Sequence, residues 1–412
     1  MDRNDRALTG FTMLGHAMFH TYELVIPIFI VIWLDEFGVT AAFLGLVVGI
    51  SYGMTGVGAL PSGALSDRFS SKVLIIVCMV GMGLGFILIS MATNVLLLTA
   101  GLLLWGAAAS IYHPSGLALI SRGAKERGTS FAYHGLAGNV GVATGPLLGA
   151  ILLAFFGWRS VAALLVIPVA VALLIAFQLE FDETARAEAA AADDNQLESF
   201  GQFVRNSKLL FTGGFVFVFV IGNLYGLYYR GVFTFLPDIL AGLPLFDPMQ
   251  LYGRTFEPSQ YVYSGLLILG GAGQFAGGKL VDRYTPEYVL VGTFSVLVVI
   301  AAVFMPAANA GLGPLLVVSG LLGFFVFMEA PVNQEVISKY VPPEVRGLSF
   351  GYTYLAVFGI GALGSTIAGV ILTVSTPATL FGFVGLSALV AAGIGVYLIN
   401  RQAPGHRRRE AG

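Results

Sequence analysis

The chain is dominated by long apolar runs. Roughly twelve of them approach the ~20 residues a helix needs to cross bilayer hydrocarbon, and together they take up most of the 412 residues. Their approximate limits are 8–34, 41–65, 73–92, 95–120, 130–155, 158–178, 209–238, 259–280, 287–306, 311–337, 346–372 and 377–399. Such segments are too long, and alternate too little, for barrel strands. A helix also satisfies its own backbone groups where no water can. Charged residues make up 11% of the chain, against about 25% in soluble domains, and hydrophobic ones 57%. That balance cannot clothe a soluble surface, so the expected solvent is a lipid bilayer, the cell membrane. The polar opening "MDRNDRALTG" leads into a long run that carries Glu23 and shows no cleavage pattern, which favours a membrane helix over a signal peptide. Cys78 is the single cysteine, so no intrachain disulfide forms, and a net charge of −2 gives no reason to expect nucleic acid as a partner.

The polar stretch 179–200 holds seven acids and one arginine and divides the runs into two sets of six. The expected organisation is a bundle over 1–178, an acidic linker over 179–208, a second bundle over 209–400 and a basic tail over 401–412. Arg68, Lys72, Arg122, Lys125, Arg127, Arg283, Lys339 and Arg346 fall in loops on one side, with both termini; Arg159 and Arg254 fall opposite. The positive-inside bias makes the termini and linker cytoplasmic. The halves also repeat. Asp67-Arg68 returns as Asp282-Arg283, and "ERGTSFAYHGLAG" from 126 matches "VRGLSFGYTYLAV" from 345, so Arg127 answers Arg346. A half with six spans returns to its starting side, so it duplicates without inversion.

On these residues the chain resembles the major facilitator superfamily. The loop signature of that family is carried by Gly63, Asp67, Arg68 and Lys72, and a second copy keeps Gly278, Asp282 and Arg283. "GNVGVATGPLLGA" at 138–150, with Gly141, Gly145, Pro146 and Gly149, is similar to the fifth-helix motif of drug–proton antiporters. Tyr112-His113-Pro114 and Gly138-Asn139-x-Gly141 resemble the fosmidomycin-resistance branch, although Ser115 stands where an acid often follows the proline. The resemblance implies two pseudo-symmetric six-helix bundles of twelve transmembrane helices, with helices one, four, seven and ten lining a central cavity. It also implies efflux of a drug or small organic anion driven by protons. The loop charges suit a cytoplasmic gate, whose expected members are Gly63, Asp67, Arg68, Lys72, Arg127, His134, Gly145, Pro146, Asp282, Arg283 and Arg346. The plainer alternative for them is a fixed topology anchor.

Four of the five histidines lie in the runs. His16, His20 and Glu23 are spaced by four and three, which places them on one helix face. Ionisable groups in lipid face a cavity or the bundle interior. This stripe suits proton handling, or else a neutral network that fixes packing. Two histidines and a glutamate are also metal donors, but nothing else in the chain supports metal chemistry, and no metal or cofactor is expected. His113 precedes Pro114, which frees a backbone acceptor an imidazole can bond. Arg230 stands seven residues before Pro237, as His20 stands seven before Pro27, so pseudo-symmetry sets it opposite His20; an arginine does not discharge, so it needs an anion: Glu329, with Asn333 one turn on, or a substrate. The proton-coupling candidates are therefore His16, His20, Glu23 and Glu329, and the cavity candidates Tyr22, Trp105, Tyr112, His113, Tyr229, Arg230 and Asn333.

The expected activity is proton-coupled export of a small molecule by a protein functional as a monomer. Uptake symport of a small organic anion is the alternative in mechanism, and a non-transporting membrane receptor or assembly protein the alternative in class. No phosphate loop, serine-elbow pattern or sizeable soluble domain points to an enzyme.

Overall fold

The computed structural model describes residues 1–66, 68–185, 200–341 and 345–406, excepting the side chains of 60, 63, 64, 200, 346, 347 and 402–406. The first half runs α1 (Arg3–Phe37), α2 (Ala41–Val57), α3 (Ala59–Ser66), α4 (Ser71–Ser90), α5 (Val95–Ala109), α6 (Tyr112–Gly123), α7 (Arg127–Leu153), α8 (Trp158–Leu164) and α9 (Val166–Gln178). The second runs α10 (Phe200–Phe211), α11 (Phe215–Phe233), α12 (Leu236–Ala241), α13 (Pro258–Val281), α14 (Pro286–Ala310), α15 (Leu312–Tyr340), α16 (Arg346–Tyr354), a π-helical turn over Leu355–Ile360, α17 (Leu363–Val374) and α18 (Pro377–His406). Ten helical stretches are long and apolar enough to cross a membrane, and Ala41–Val57 is a shorter apolar helix. With α3 extending that helix, and the glycine-rich α13, the described residues form twelve spans, six to a half.

Local signals set the joints. Thr40, Ser70 and Asn94 cap α2, α4 and α5, each accepting from a backbone N–H three residues on. Gly38 closes α1 at φ 57, a left-handed conformation suited to glycine. The fourth span is two helices, and Pro114 sits in the first turn of α6, where its missing N–H breaks no helix bond. The seventh span begins at Phe215, not 209 as the sequence suggests. Residues Phe200–Phe211 form a separate amphipathic helix, with Phe211 edge-on to Tyr352 and Ser207 accepting from its hydroxyl at 2.9 Å. A hairpin, β1 (Met249–Leu251) with β2 (Arg254–Phe256), is added to the all-α expectation; Tyr252 and Gly253, both with positive φ, make its turn.

Side chains such as Leu96, Leu174, Phe177, Val299 and Val317 point outward, as a lipid solvent allows. Within the first half α7 lies on α1 at Gly145, where a Cβ would stand 2.6 Å from the Thr21 carbonyl oxygen. The halves meet along α2 and α17, away from the termini. Ala42 N donates to Thr373 Oγ1 at 2.8 Å and Thr366 Oγ1 to the Gly45 carbonyl at 3.2 Å. On the same side Tyr261 donates to the Ala150 carbonyl at 3.4 Å.

Candidate functional site

The helical spacing of α1 does put His16, His20 and Glu23 on one face, and the fold turns that face inward. His16 Nδ1 lies 2.7 Å from the His134 carbonyl oxygen, and the two rings stack with centroids 3.9 Å apart. His20 Nδ1 lies 2.6 Å from Glu23 Oε2, and His20 Nε2 lies 3.1 Å from His16 Nε2. Tyr112 donates to the Thr12 carbonyl, and its oxygen lies 3.2 Å from His134 Nε2. These contacts form a polar thread along α1 that takes in α6 and α7.

The thread ends on a charge pair. Arg230 of α11 binds Glu23 Oε1 through Nη2, both side chains being almost wholly excluded from solvent. The guanidinium lies over the Tyr52 ring, 3.9 Å from its centroid, with Tyr229 at 5.1 Å and Phe358 at 5.7 Å. Tyr52 also donates to the Glu23 carbonyl at 2.8 Å. Glu23 and Tyr52 come from one half, Arg230, Tyr229 and Phe358 from the other, so this pair joins the two bundles at their centre.

Here the structure corrects the expected pairing. Arg230 meets Glu23, not Glu329. Positions related by a pseudo-two-fold axis face one another near that axis, so the match of Arg230 with His20 already placed it against the Glu23 stripe. Glu329 is buried on α15, and its Oε1 has no hydrogen-bond partner among the described residues; the same holds for Asn333 Oδ1 and Arg230 Nε.

The other candidates divide. Trp105 packs against Tyr52, edge-on with centroids 5.8 Å apart. Tyr229 flanks Arg230 and stacks on Phe233. Tyr22 faces away from the centre, donating to the Leu165 carbonyl at 3.0 Å with its ring against Phe86. His113 repairs no backbone, since among the described residues both its ring nitrogens lack partners; its ring stacks 5.1 Å from Tyr354, across the halves. His134 is buried beside His16 and Tyr112, within the thread.

At the end bearing the termini, Asp67 and the Arg346 side chain lie outside the described residues, and Gly63 sits in α3. Arg68 and Arg283 are exposed, Arg127 starts α7, and among the described residues Asp282 pairs with Lys279 at 3.8 Å. That exposed i,i+3 pair on α13 itself is not a contact across the halves. Lys72 donates to the Leu179 carbonyl at 2.6 Å and lies over Phe181. Gly145 and Pro146 belong to the α7–α1 packing. Charges that sequence reading passed over do more here. Glu183 accepts from Ser71 N at 2.8 Å and from the Ser70 hydroxyl, capping α4. Asp5 accepts from the Lys125 and Glu126 backbone N–H groups at 2.9 Å each. Glu287 is buried and binds Lys339 and Tyr340 at 2.8 Å. Acceptors 112 to 121 residues from their donors leave no local signal. Outside the spans, the Asp2 carboxyl is held below its ordinary range, first by the Asp5 backbone N–H and then by Lys125.

Two six-span halves joined by a buried central ion pair define a polytopic membrane transport protein. The chain belongs to the Major Facilitator Superfamily: the family model so described matches residues 11–363 and, again, 264–412. It is 26% identical over 362 residues to the 4-hydroxybenzoate transporter PcaK of Pseudomonas putida, covering 81% of this chain and 78% of that one. It is 25% identical over 296 residues to the fosmidomycin resistance protein of Escherichia coli strain K12, covering 70% and 67%. The solved bacterial homologue of the human lysosomal transporter Spinster, inward-facing and occupied, superposes with a TM-score of 0.76 at 13% identity, covering 97% and 98%; that likeness is one of fold.

Proposed function

We propose that the protein is a proton-coupled secondary transporter of the cell membrane, with cytoplasmic termini, exporting a drug or small organic solute by alternating access. An organic anion is the favoured cargo. The observation that carries this reading is the buried Glu23–Arg230 pair between the halves, with the unpartnered Glu329 on a neighbouring inward-facing helix. An arriving anion competes with Glu23 for Arg230, whose Nε is unclaimed. Opening that pair loosens a charged bond between the halves and lets them rock. A carboxylate oxygen buried without a partner is where an added proton is worth most. Glu329 is thus the proton carrier in this scheme, while Glu23 is occupied by Arg230.

The fosmidomycin resistance relative supports drug export. A second reading, uptake symport of a small aromatic carboxylate, is favoured by the Tyr52, Tyr229 and Phe358 rings around Arg230 and by the 4-hydroxybenzoate transporter relative. Flux into proteoliposomes separates the two, with fosmidomycin and 4-hydroxybenzoate as probe cargoes. An antiporter accumulates cargo when the lumen is acid, a symporter when the lumen is alkaline. Glu329→Gln is expected to abolish gradient-driven accumulation and to spare exchange between equilibrated compartments. Accumulation that ignores the gradient, or that survives Glu329→Gln in full, rules this coupling out.

A further inference from the structure

The contacts of His16 and His20 fix their tautomers. A carbonyl oxygen only accepts, so His16 Nδ1, 2.7 Å from the His134 carbonyl, carries a hydrogen. Glu23 is held as a carboxylate by Arg230, so His20 Nδ1, 2.6 Å from Glu23 Oε2, carries a hydrogen as well. In each neutral ring the remaining nitrogen, Nε2, is then a bare acceptor. These two acceptors face each other at 3.1 Å. Lone pairs at that distance repel unless a cation lies between them.

A shared proton would satisfy two nitrogens, but a third imidazole is present. His113 is more than nine-tenths buried, and neither of its ring nitrogens has a hydrogen-bond partner among the described residues. Donor nitrogens of His16, His20 and His113 all lie within 4.8 Å of one another. A proton gives His113 nothing to do, whereas a metal ion gives it a bond. The surroundings fit as well. Histidines that bind metals give their other N–H to a carbonyl or a carboxylate, as His16 and His20 do here. Glu23 supplies nearby negative charge, and His20, at 16% exposed, leaves a way in.

We propose that His16, His20 and His113 bind one divalent first-row transition-metal ion, of which zinc best suits three imidazoles with a fourth position open. Bound there, the ion draws on the Glu23 carboxylate that Arg230 also holds, so its binding is linked to the charge pair joining the halves. The inference does not depend on what the protein transports.

Cobalt(II) is the probe, titrated into tag-free, full-length protein and followed by its visible absorption, with zinc as competitor. One ion per chain, with the intense bands of a four-coordinate site and displacement by zinc, is the expected result. His16→Ala, His20→Ala and His113→Ala should each weaken binding by at least about 100-fold, and Glu23→Gln by about 10- to 100-fold, as loss of an outer-shell partner does. The fifth histidine, His406, serves as control, and His406→Ala should change nothing. X-ray absorption on the wild-type zinc complex needs no variant to fold; it should count three imidazole nitrogens at about 2.0–2.1 Å. Absence of saturable binding overturns the proposal and leaves the facing nitrogens to a shared proton. It is equally overturned if His406→Ala abolishes binding, if His113→Ala leaves it unchanged, or if fewer than three imidazoles are counted.

Discussion

Arg230 is 2% exposed and Glu23 not at all, so each depends on the other for charge compensation. Removing one partner leaves a buried charge alone, which costs about 3–5 kcal/mol, whereas removing both is far milder. Thermal unfolding should therefore show Arg230→Ala strongly destabilised and Arg230→Ala/Glu23→Ala largely restored; equal loss in both would mean the pair is not the source. Arg230→Lys keeps the charge but loses the planar group that lies on Tyr52, and should fall between them. The α1 stripe was legible from sequence because helical spacing alone aligns its three residues. The partner of Arg230 was not legible in that way, because spacing within a helix says nothing about which of two buried carboxylates another helix will meet. Pseudo-symmetry carried that information, through the equal distances from His20 to Pro27 and from Arg230 to Pro237.

At the scale of helices, the glycine-rich stretch of α7 acts through contact. A methyl at Gly145 would press on the Thr21 carbonyl, so Gly145→Ala must push α7 off α1. Overpacking of that kind costs about 1–3 kcal/mol, and here it also spreads His16 from His134. A melting temperature unchanged by Gly145→Ala would show that the helices have slack. Caps give smaller effects. Glu183→Ala frees Ser71 N at the start of α4 and should cost about 1 kcal/mol. The Asp2 cap on α1 depends on pH in one direction. Its carboxyl titrates lower when folded than when free, so the cap is complete above the ordinary aspartate pKa of about 4 and is lost as pH falls below it. Hydrogen exchange at the Asp5 amide should quicken relative to its intrinsic rate over that fall, and an amide indifferent to it would place the bond elsewhere. The break before α6 could be anticipated from Pro114. The π-helical turn over Leu355–Ile360 could not, since no proline or polar residue interrupts "LAVFGI"; it lies where the chain meets α2, with Gly56 against Gly359.

Across the whole molecule, the two halves touch most intimately where α2 meets α17, away from the termini, and again at the central ion pair. The twelve spans and their division into halves could be read from hydropathy and the repeated loop, because lipid forces every span to satisfy its own backbone. Which segments meet across the halves could not, because those contacts join distant parts of the chain without changing any span. In the transport cycle proposed above, the α2–α17 seam parts once per cycle. Ala42 and Thr373 lie on that seam and are hydrogen-bonded at 2.8 Å, so a reversible cross-link there holds the seam shut without touching the centre. The variant Ala42→Cys/Thr373→Cys, in a Cys78→Ser background, should carry cargo when reduced and stop when cross-linked, with recovery on adding reductant. A cross-linked protein that transports at the reduced rate would mean the seam is a fixed joint, and the halves would have to move about some other contact.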